Sequence, residues 1–317
     1  MNCLCCGMKL SLNESENGWH KACIKKFFGT TVMPEIEIDK KSLEQLAEDS
    51  VNKGYTVAGV QKKLSLHLHS DNNTPRLTLV NYPTGYILKP QTEQFTALPQ
   101  AEQLVMTMAD YVGISTVPHA LINQNGNYAY ITKRIDRVFE KDKVKMLAME
   151  DFCQLDLRLT QDKYKGSYER CAKIIDSYSY HKSFDKTELF MRIIFSFITG
   201  NSDMHLKNFS LIETDEGSGK YILSPAYDLL PVKILLPEDR EDFALSINKK
   251  KIDLKRKDFF VFAYRCGISQ KPAEKMIAKL LSMIEQLISI CENSLLPDDL
   301  KKQFIELINN RCKILST

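Results

Sequence analysis

The hydrophobic pattern of this chain changes its period near residue 135. Before that point, short runs alternate between apolar and polar residues, as in 63–69 and 76–80, which is typical of β-hairpins. One stretch of this first part, 101–112, instead has apolar residues three and four positions apart. After residue 135 that helical spacing dominates, for example over 276–291. The pattern predicts an α+β fold in which a β-rich part precedes a helical part.

Further segments fit the same division. Residues 86–89 read as a strand, and 118–122 and 128–133 as a strand pair around Asn-Gly. A short helix is expected over 42–51, and a fully buried one over 189–198, where nearly every residue is apolar. We therefore predict three parts: a Cys/His segment over 1–28, a β-rich lobe over 29–135 and a helical lobe over 136–317.

Composition places the chain among ordinary globular proteins. Of its 317 residues, 44% are hydrophobic and 26% are charged, which excludes a disordered or low-complexity chain. The formal net charge is only +3, so charge alone predicts no direct nucleic-acid binding. The longest apolar runs, such as 193–199, are far shorter than the roughly 20 residues that span a membrane. The start lacks the pattern of a secretory signal, so we expect a cytoplasmic protein.

Four cysteines and a histidine lie close together at the start of the chain. Cys3-x-x-Cys6 and His20-x-x-Cys23 form two close pairs separated by a loop, as in tetrahedral zinc sites. The preferred ligands are Cys3, Cys6, His20 and Cys23, although Cys5 could replace a neighbour. Four protein ligands would make this zinc site structural. The alternative is a set of reduced cysteines on a mobile terminus. The other five cysteines fit small core residues in a reducing compartment.

The most polar cluster of the chain follows the buried helix. Asp203 and Asn208 have the Asp-x4-Asn spacing of a kinase catalytic loop, in which the Asp accepts the proton of the substrate hydroxyl and the Asn binds magnesium. A strand-like segment then leads to Asp228, a second candidate magnesium ligand. Taken singly, the spacing occurs often by chance, because Asp203 could cap a helix and Asn208 could close a turn. His205 alone would more often be a structural histidine.

The order of the segments favours the kinase interpretation. Lys89 ends a strand in the β-rich part, and Glu102 in the following helix could pair with it, as a kinase lysine and glutamate do. No G-x-G-x-x-G loop is present. The segment before the first hairpin has one glycine, Gly59, and two lysines, Lys62 and Lys63, which could cover phosphates. By itself this segment would be an ordinary turn into a strand.

Five segments, in this order along the chain, resemble the motifs of HipA-type serine/threonine kinases, which are toxins of bacterial toxin–antitoxin modules. These segments are Ala58–Leu66, Tyr86–Pro90, Glu150–Gln154, Gly200–Phe209 and Leu223–Asp228. The resemblance implies a two-lobed protein-kinase-like fold and use of ATP and Mg²⁺. Because little chain precedes Thr56, the sequence is most similar to the compact HipT branch.

The resemblance also assigns roles to single residues. It implies that Asp203 is the catalytic base, that His205 orients the loop or stabilises transition-state charge, and that Asn208 and Asp228 bind Mg²⁺. Thr56 matches the position of an autophosphorylated serine, and phosphate there would repel ATP. The implied nucleotide-binding residues are Ala58, Gly59, Val60, Gln61, Lys62, Lys63, Lys89, Glu102, Lys133, Arg134, Ile135, Asn208 and Asp228.

By family analogy, the substrate would be a protein, in particular an aminoacyl-tRNA synthetase, and the partner an antitoxin of the HipB or HipS type. The expected location is the bacterial cytoplasm, and export to a host cell stays open. Two other functions are compatible with the residues: a small-molecule kinase on the same fold, and an inactive kinase-like binding module.

Overall fold

The chain forms two structural units, and the first of them contains a six-stranded sheet. The structure, a computed structural model, describes residues 1–11, 17–36, 63–69, 75–78, 84–124, 126–140 and 143–317. The first unit comprises Met1–Gln103 and Val117–Val144, and the second comprises Leu104–Thr116 and Lys145–Thr317. The domain boundaries that we predicted from the sequence stay a prediction. The predicted helix over 42–51 lies outside the described residues.

The sheet of the first unit has the strand order β1-β3-β2-β4-β6-β5, and its pairs are antiparallel except for the parallel pair β1 and β3. Alternation explains its strands, because Leu64 and Leu66 are buried while Ser65 between them is exposed. The elements of this unit are α1 (Lys21–Phe28), β1 (Glu35–Ile36), β2 (Leu64–His69), β3 (Arg76–Thr78), β4 (Tyr86–Pro90), α2 (Leu98–Tyr111), β5 (His119–Gln124), β6 (Asn127–Lys133) and β7 (Arg137–Glu140).

Helix α2 follows the predicted stripe and buries Ala101, Val105 and Met108 completely. It ends at Tyr111, and Gly113 just beyond it has a φ of 88°, which allows the amide of Ile114 to reach back to the carbonyl of Ala109. The boundary between the two units falls within this helix. Helix α2 therefore supplies residues to both units.

The second unit is mainly helical. Its central helix α5 is buried along most of its length, and helices α4, α7, α8 and α10 pack against it. A small antiparallel sheet with the order β11-β10-β9 belongs to the same unit. Strand β8 (Lys143–Met146) crosses the boundary between the units. The other elements are β9 (Met149–Asp151), α3 (Phe152–Leu155), α4 (Tyr168–Tyr178), α5 (Lys182–Ile198), β10 (Ser210–Glu213), β11 (Tyr221–Leu223), α6 (Val232–Leu235), α7 (Arg256–Arg265), α8 (Gln270–Ser282), α9 (Ile284–Glu292) and α10 (Asp298–Ser316).

A buried histidine makes the stability of the first unit depend on pH. His119 on β5 stacks on the Tyr130 ring, and its Nδ1 donates to Oε1 of Gln103 over 2.9 Å. Burial lowers the pKa of His119 to about 4. Between pH 6.5 and pH 4 the unfolded chain therefore binds a proton that the folded chain does not bind, so acidification favours unfolding.

We expect the unfolding free energy of the wild-type protein to fall by up to about 3 kcal/mol more than that of His119→Gln between pH 7 and pH 4. Urea unfolding curves of both proteins at several pH values would measure this difference. Two profiles that run parallel over the whole range would contradict it.

Candidate active site

A buried ion pair joins strand and helix in the first unit. Lys89 Nζ on β4 lies 2.5 Å from Oε1 of Glu102 on α2. Lys89 is 3% exposed and Glu102 is fully buried. The ammonium group also lies 5.2 Å from the centre of the Tyr130 ring, which is its cross-strand neighbour on β6. The structure thus brings together the lysine and glutamate that the sequence suggested as a pair.

Three of the residues predicted to bind the nucleotide, 133–135, lie at the end of β6 and directly after it. Lys133 pairs with Tyr86 of β4, and burial lowers the pKa of Lys133. The backbone amide of Arg134 donates to the carbonyl of Gly85, while its guanidinium makes two hydrogen bonds to Asp136. Burial alone would raise the pKa of Asp136, but the hydrogen bonds and charge of Arg134 hold it below its usual value. Ile135 is half-buried.

Most of the predicted nucleotide-covering loop lies outside the described residues, as does the predicted phosphorylation site Thr56. Lys63 is described: it is exposed and immediately precedes β2. The loop residues outside the described part of the chain are Ala58, Gly59, Val60, Gln61 and Lys62.

The candidate catalytic loop begins at the buried end of α5. Gly200 has a φ of 64°, and a Cβ there would lie 2.5 Å from Leu307 and 3.0 Å from Lys233. Only glycine fits both this conformation and this space. The amide of Asn201 reaches back to the carbonyl of Ser196, so that the helix ends firmly before the loop starts.

Asp203 and Asn208 are in direct contact. Nδ2 of Asn208 donates to the backbone carbonyl of Asp203 over 3.2 Å, and the hydroxyl of Tyr164 donates to Oδ1 of Asp203 over 2.9 Å. The first bond orients the side chain of Asn208, and the second fixes the carboxylate of Asp203. A carboxylate held in this way is suited to accept a proton from a hydroxyl group.

His205 is a buried part of the same loop. It is 4% exposed, and its ring meets the ring of Tyr164 edge to face at 5.2 Å between centroids. Tyr164 in turn donates to Asp203. This packing favours an orienting role for His205 over direct contact with a substrate.

Asp228 lies at the same end of a β-hairpin as Asn208. Asn208 precedes β10 and Asp228 follows β11, and the two strands pair in antiparallel register from Leu211 and Leu223. Asp228 has a φ of 56°, which is uncommon for a residue other than glycine and is often found at functional sites.

The residue next to Asp228 fixes the hairpin end. The hydroxyl of Tyr227 donates to the carbonyl of Lys207 and lies 2.6 Å from the hydroxyl of Ser210. Burial raises the pKa of Tyr227 well above its usual value. Tyr227 thereby ties the segment that carries Asp228 to the segment that carries Asn208.

Three residues support the site through contacts that no local sequence pattern indicates. Tyr164 has no motif around it. Lys207 forms an ion pair of 2.7 Å with Asp151, which joins the catalytic loop to the end of β9. Arg192 is buried in α5 and donates to the carbonyl of Ser224, just before Asp228. Their partners are 32 to 56 residues away, too far for a local pattern to indicate them.

The strand lysine paired with a helix glutamate, and the Asp-Asn loop followed by a β-hairpin, are features of kinase-like folds. Solved structures confirm this α+β, kinase-like fold. One is a chain from the complex of the Shewanella oneidensis MR-1 toxin–antitoxin system HipA, HipB and its operator DNA. It aligns with a TM-score of 0.70 and 19% identity over 88% of this chain and 73% of that chain. The Helicobacter pylori proinflammatory kinase CtkA aligns with a TM-score of 0.55 and 15% identity, over 79% of this chain and 94% of that chain.

The family follows from the sequence itself. Residues 55–288 match the family described as HipA-like C-terminal domain. The chain therefore belongs to this family, which confirms the resemblance noted from its motifs.

Relatives named as kinases agree with this family. "Putative kinase" of Haemophilus influenzae is 26% identical over 89% of this chain and 87% of its own length. "Putative kinase Y4dM" of Sinorhizobium fredii is 31% identical over 68% of this chain and 55% of its own length. "Putative kinase Y4mE" of the same organism is 27% identical over 74% of this chain and 56% of its own length. The chain thus spans little more than half of the two Sinorhizobium proteins. Together with the fold, these names support a kinase function.

Across the described segments of the chain, none of the helices combines the length and apolar character needed to cross a membrane.

Proposed function

We propose that this protein is an ATP- and Mg²⁺-dependent serine/threonine protein kinase. The observation that carries the proposal is the loop in which Asn208 is bound to the backbone of Asp203 while Tyr164 fixes the Asp203 carboxylate. Such a loop supplies a base and a metal ligand within one short segment.

The residues account for each part of phosphate transfer. The Asp203 carboxylate accepts the proton of the substrate hydroxyl as its oxygen bonds to the γ-phosphorus, and the bond between that phosphorus and the β,γ-bridging oxygen breaks, so that ADP leaves. Lys89 carries positive charge to the α- and β-phosphates, and Glu102 holds it in place. Lys63, Lys133, Arg134 and Ile135, with the segment 58–62, contact the nucleotide.

The donor set suits magnesium. Because Nδ2 of Asn208 is engaged with Asp203, its Oδ1 is the atom left to face a ligand, and Asp228 offers carboxylate oxygens from the other strand of the hairpin. Hard oxygen ligands of this kind fit Mg²⁺. When bound, Mg²⁺ neutralises charge on the β- and γ-phosphates.

The biological setting is proposed by analogy. The Shewanella oneidensis protein is part of a complex with HipB and operator DNA. We propose an antitoxin of the HipB or HipS type as the partner of this chain, its own contact with DNA being indirect. We also propose that the target is a protein, by family analogy an aminoacyl-tRNA synthetase. The proposed location is the cytoplasm, and the proposed family branch is the compact HipT branch.

Incubation with ATP and Mg²⁺ tests both the protein specificity and the proposed self-modification. We expect mass spectrometry to find phosphate esterified to Thr56, and activity to fall as this phosphate accumulates, because about two negative charges there repel ATP. Thr56→Ala should stay active for longer. Transfer of the γ-phosphate of ATP to a small-molecule hydroxyl, with no phosphate entering any protein, would point instead to a small-molecule kinase.

A further inference from the structure

The Cys/His cluster at the start of the chain is independent of the kinase residues. The candidate ligand atoms of Cys3, Cys6, His20 and Cys23 all lie within 4.8 Å of one another. Cys5 is not part of this group. Of the alternatives that the sequence left open, the geometry therefore favours Cys6 over Cys5.

The separations match those of tetrahedral zinc. Nδ1 of His20 lies 3.4 Å from Sγ of Cys6 and 3.9 Å from Sγ of Cys23. In a tetrahedron with Zn–S of about 2.3 Å and Zn–N of about 2.05 Å, a sulfur and a nitrogen ligand are roughly 3.6 Å apart. One ion can therefore reach both sulfurs and the imidazole with small adjustments.

A second contact prepares His20 as a ligand. Its Nε2 lies 3.1 Å from the carbonyl oxygen of Lys9, which can only accept a hydrogen bond. The proton of the neutral ring must therefore be on Nε2, which leaves the lone pair of Nδ1 directed at the sulfurs. Zinc-binding histidines commonly donate their other nitrogen to a carbonyl in this way.

The backbone around Cys3 has the form of a metal-binding knuckle. The chain turns at Gly7, where φ is 71°, and the amide of Gly7 donates to the carbonyl of Cys3. The amide of His20 lies 3.5 Å from Sγ of Cys3, where it stabilises a thiolate. Three sulfurs and one imidazole are soft and borderline ligands that select Zn²⁺ over Mg²⁺ or Ca²⁺.

The segment around the cluster covers the edge of the six-stranded sheet. Strand β5 is an edge strand, and the outward amide of Leu121 donates to the carbonyl of Leu4. The carbonyl of Leu121 accepts from the indole Nε1 of Trp19 over 3.0 Å. Leu4 lies next to the ligand Cys3, and Trp19 lies next to the ligand His20. The two residues that cover the strand edge are thus direct sequence neighbours of two candidate ligands.

An aromatic cluster extends this contact to β4. Trp19 packs against Phe27 and Phe28 of α1, with ring centroids 5.5 Å away in both cases. Both phenylalanines contact Tyr86, whose hydroxyl donates to the carbonyl of Phe27. Tyr86 belongs to the strand that carries Lys89.

We propose that Cys3, Cys6, His20 and Cys23 bind one structural Zn²⁺, which fastens the N-terminal segment over the edge strand β5. All four positions of the tetrahedron are protein ligands, so the ion takes no part in phosphate transfer.

Metal analysis of the full-length protein, purified under reducing conditions with zinc in the medium, tests the site. We expect about one zinc per chain in the wild-type protein and almost none in Cys6→Ser, whose exposed thiol makes little packing contact. Cys5→Ser is the matched control and should keep its zinc. His20→Ala should lose the ion, whereas His20→Cys should retain it, because four thiolates also bind zinc tetrahedrally.

Limited trypsin digestion tests the fastening. Removal of zinc by a chelator should increase cleavage after Lys21, Lys25 and Lys26 at least about tenfold, because α1 then opens more often. The same increase is expected for Cys6→Ser without chelator, and no increase for Cys5→Ser.

Three results would overturn the proposal: wild-type protein without zinc, zinc content equal in Cys6→Ser and the wild type, or iron in place of zinc. Unchanged digestion after verified zinc removal would overturn the fastening role. Each measurement can be repeated on Asp203→Asn, so the outcome does not depend on whether the protein is a kinase.

Discussion

Asp203→Asn should lower the rate of phosphate transfer by roughly 10²- to 10⁴-fold, because an amide cannot accept the proton of the attacking hydroxyl. The substitution keeps the shape of the side chain. Its amide oxygen can still accept the hydrogen bond that Tyr164 donates to Oδ1 of Asp203, so we expect the melting temperature to stay close to that of the wild type. Loss of activity with an unchanged fold would identify a chemical role.

Transfer from γ-labelled ATP gives the rate, and phosphoproteomics of cells that express either form would reveal the substrate. The matched control is Asp215→Asn, the same chemical change in the turn between β10 and β11, which should be fully active. Tyr164→Phe removes only the orienting hydrogen bond and should cost roughly tenfold. Full activity of Asp203→Asn would eliminate Asp203 as the base.

Much of the fold is encoded in local patterns. Alternating residues correctly indicated β2 and β3, and the three-and-four spacing correctly indicated α2, because each pattern reports the face that its element buries. The helical spacing over 276–291 was also correct, but the structure divides this segment into two helices. Helix α8 ends at Ser282 and α9 begins at Ile284, since Met283 leaves the helical conformation with φ −98° and ψ 2°. The apolar stripe continues through this break, and no glycine or proline marks it.

Some contacts of the candidate site could likewise be predicted from local sequence patterns, and others could not. Asp203 and Asn208 could be found because their spacing within one loop is itself the signal. The contact between Lys89 and Glu102 could be suggested from the order of strand and helix. The hydrogen bond from Tyr164 and the ion pair of Lys207 with Asp151 could not, because they depend on how distant segments pack.

The pair of Lys89 and Glu102 has a structural role that must be separated from its chemical one. Neither side chain is more than 4% exposed. Removal of one partner from a buried pair leaves an uncompensated charge, at a cost of about 3–5 kcal/mol, whereas replacement of both by apolar residues is often neutral. Loss of activity in a single variant would therefore not distinguish a missing phosphate contact from a damaged fold.

We therefore expect Lys89→Met to abolish phosphate transfer and to lower the unfolding free energy by about 3–5 kcal/mol. In Lys89→Met/Glu102→Leu, most of the stability should return while activity stays absent, because Glu102 no longer carries a charge but ATP still lacks its cation. Lys301→Met breaks a pair whose acidic partner, Asp298, has a side chain that is 90% exposed, and should cost less than about 1 kcal/mol. Urea unfolding and ATP titration of all three variants provide the comparison. If the double variant regained activity together with stability, Lys89 would be a structural residue that does not contact ATP.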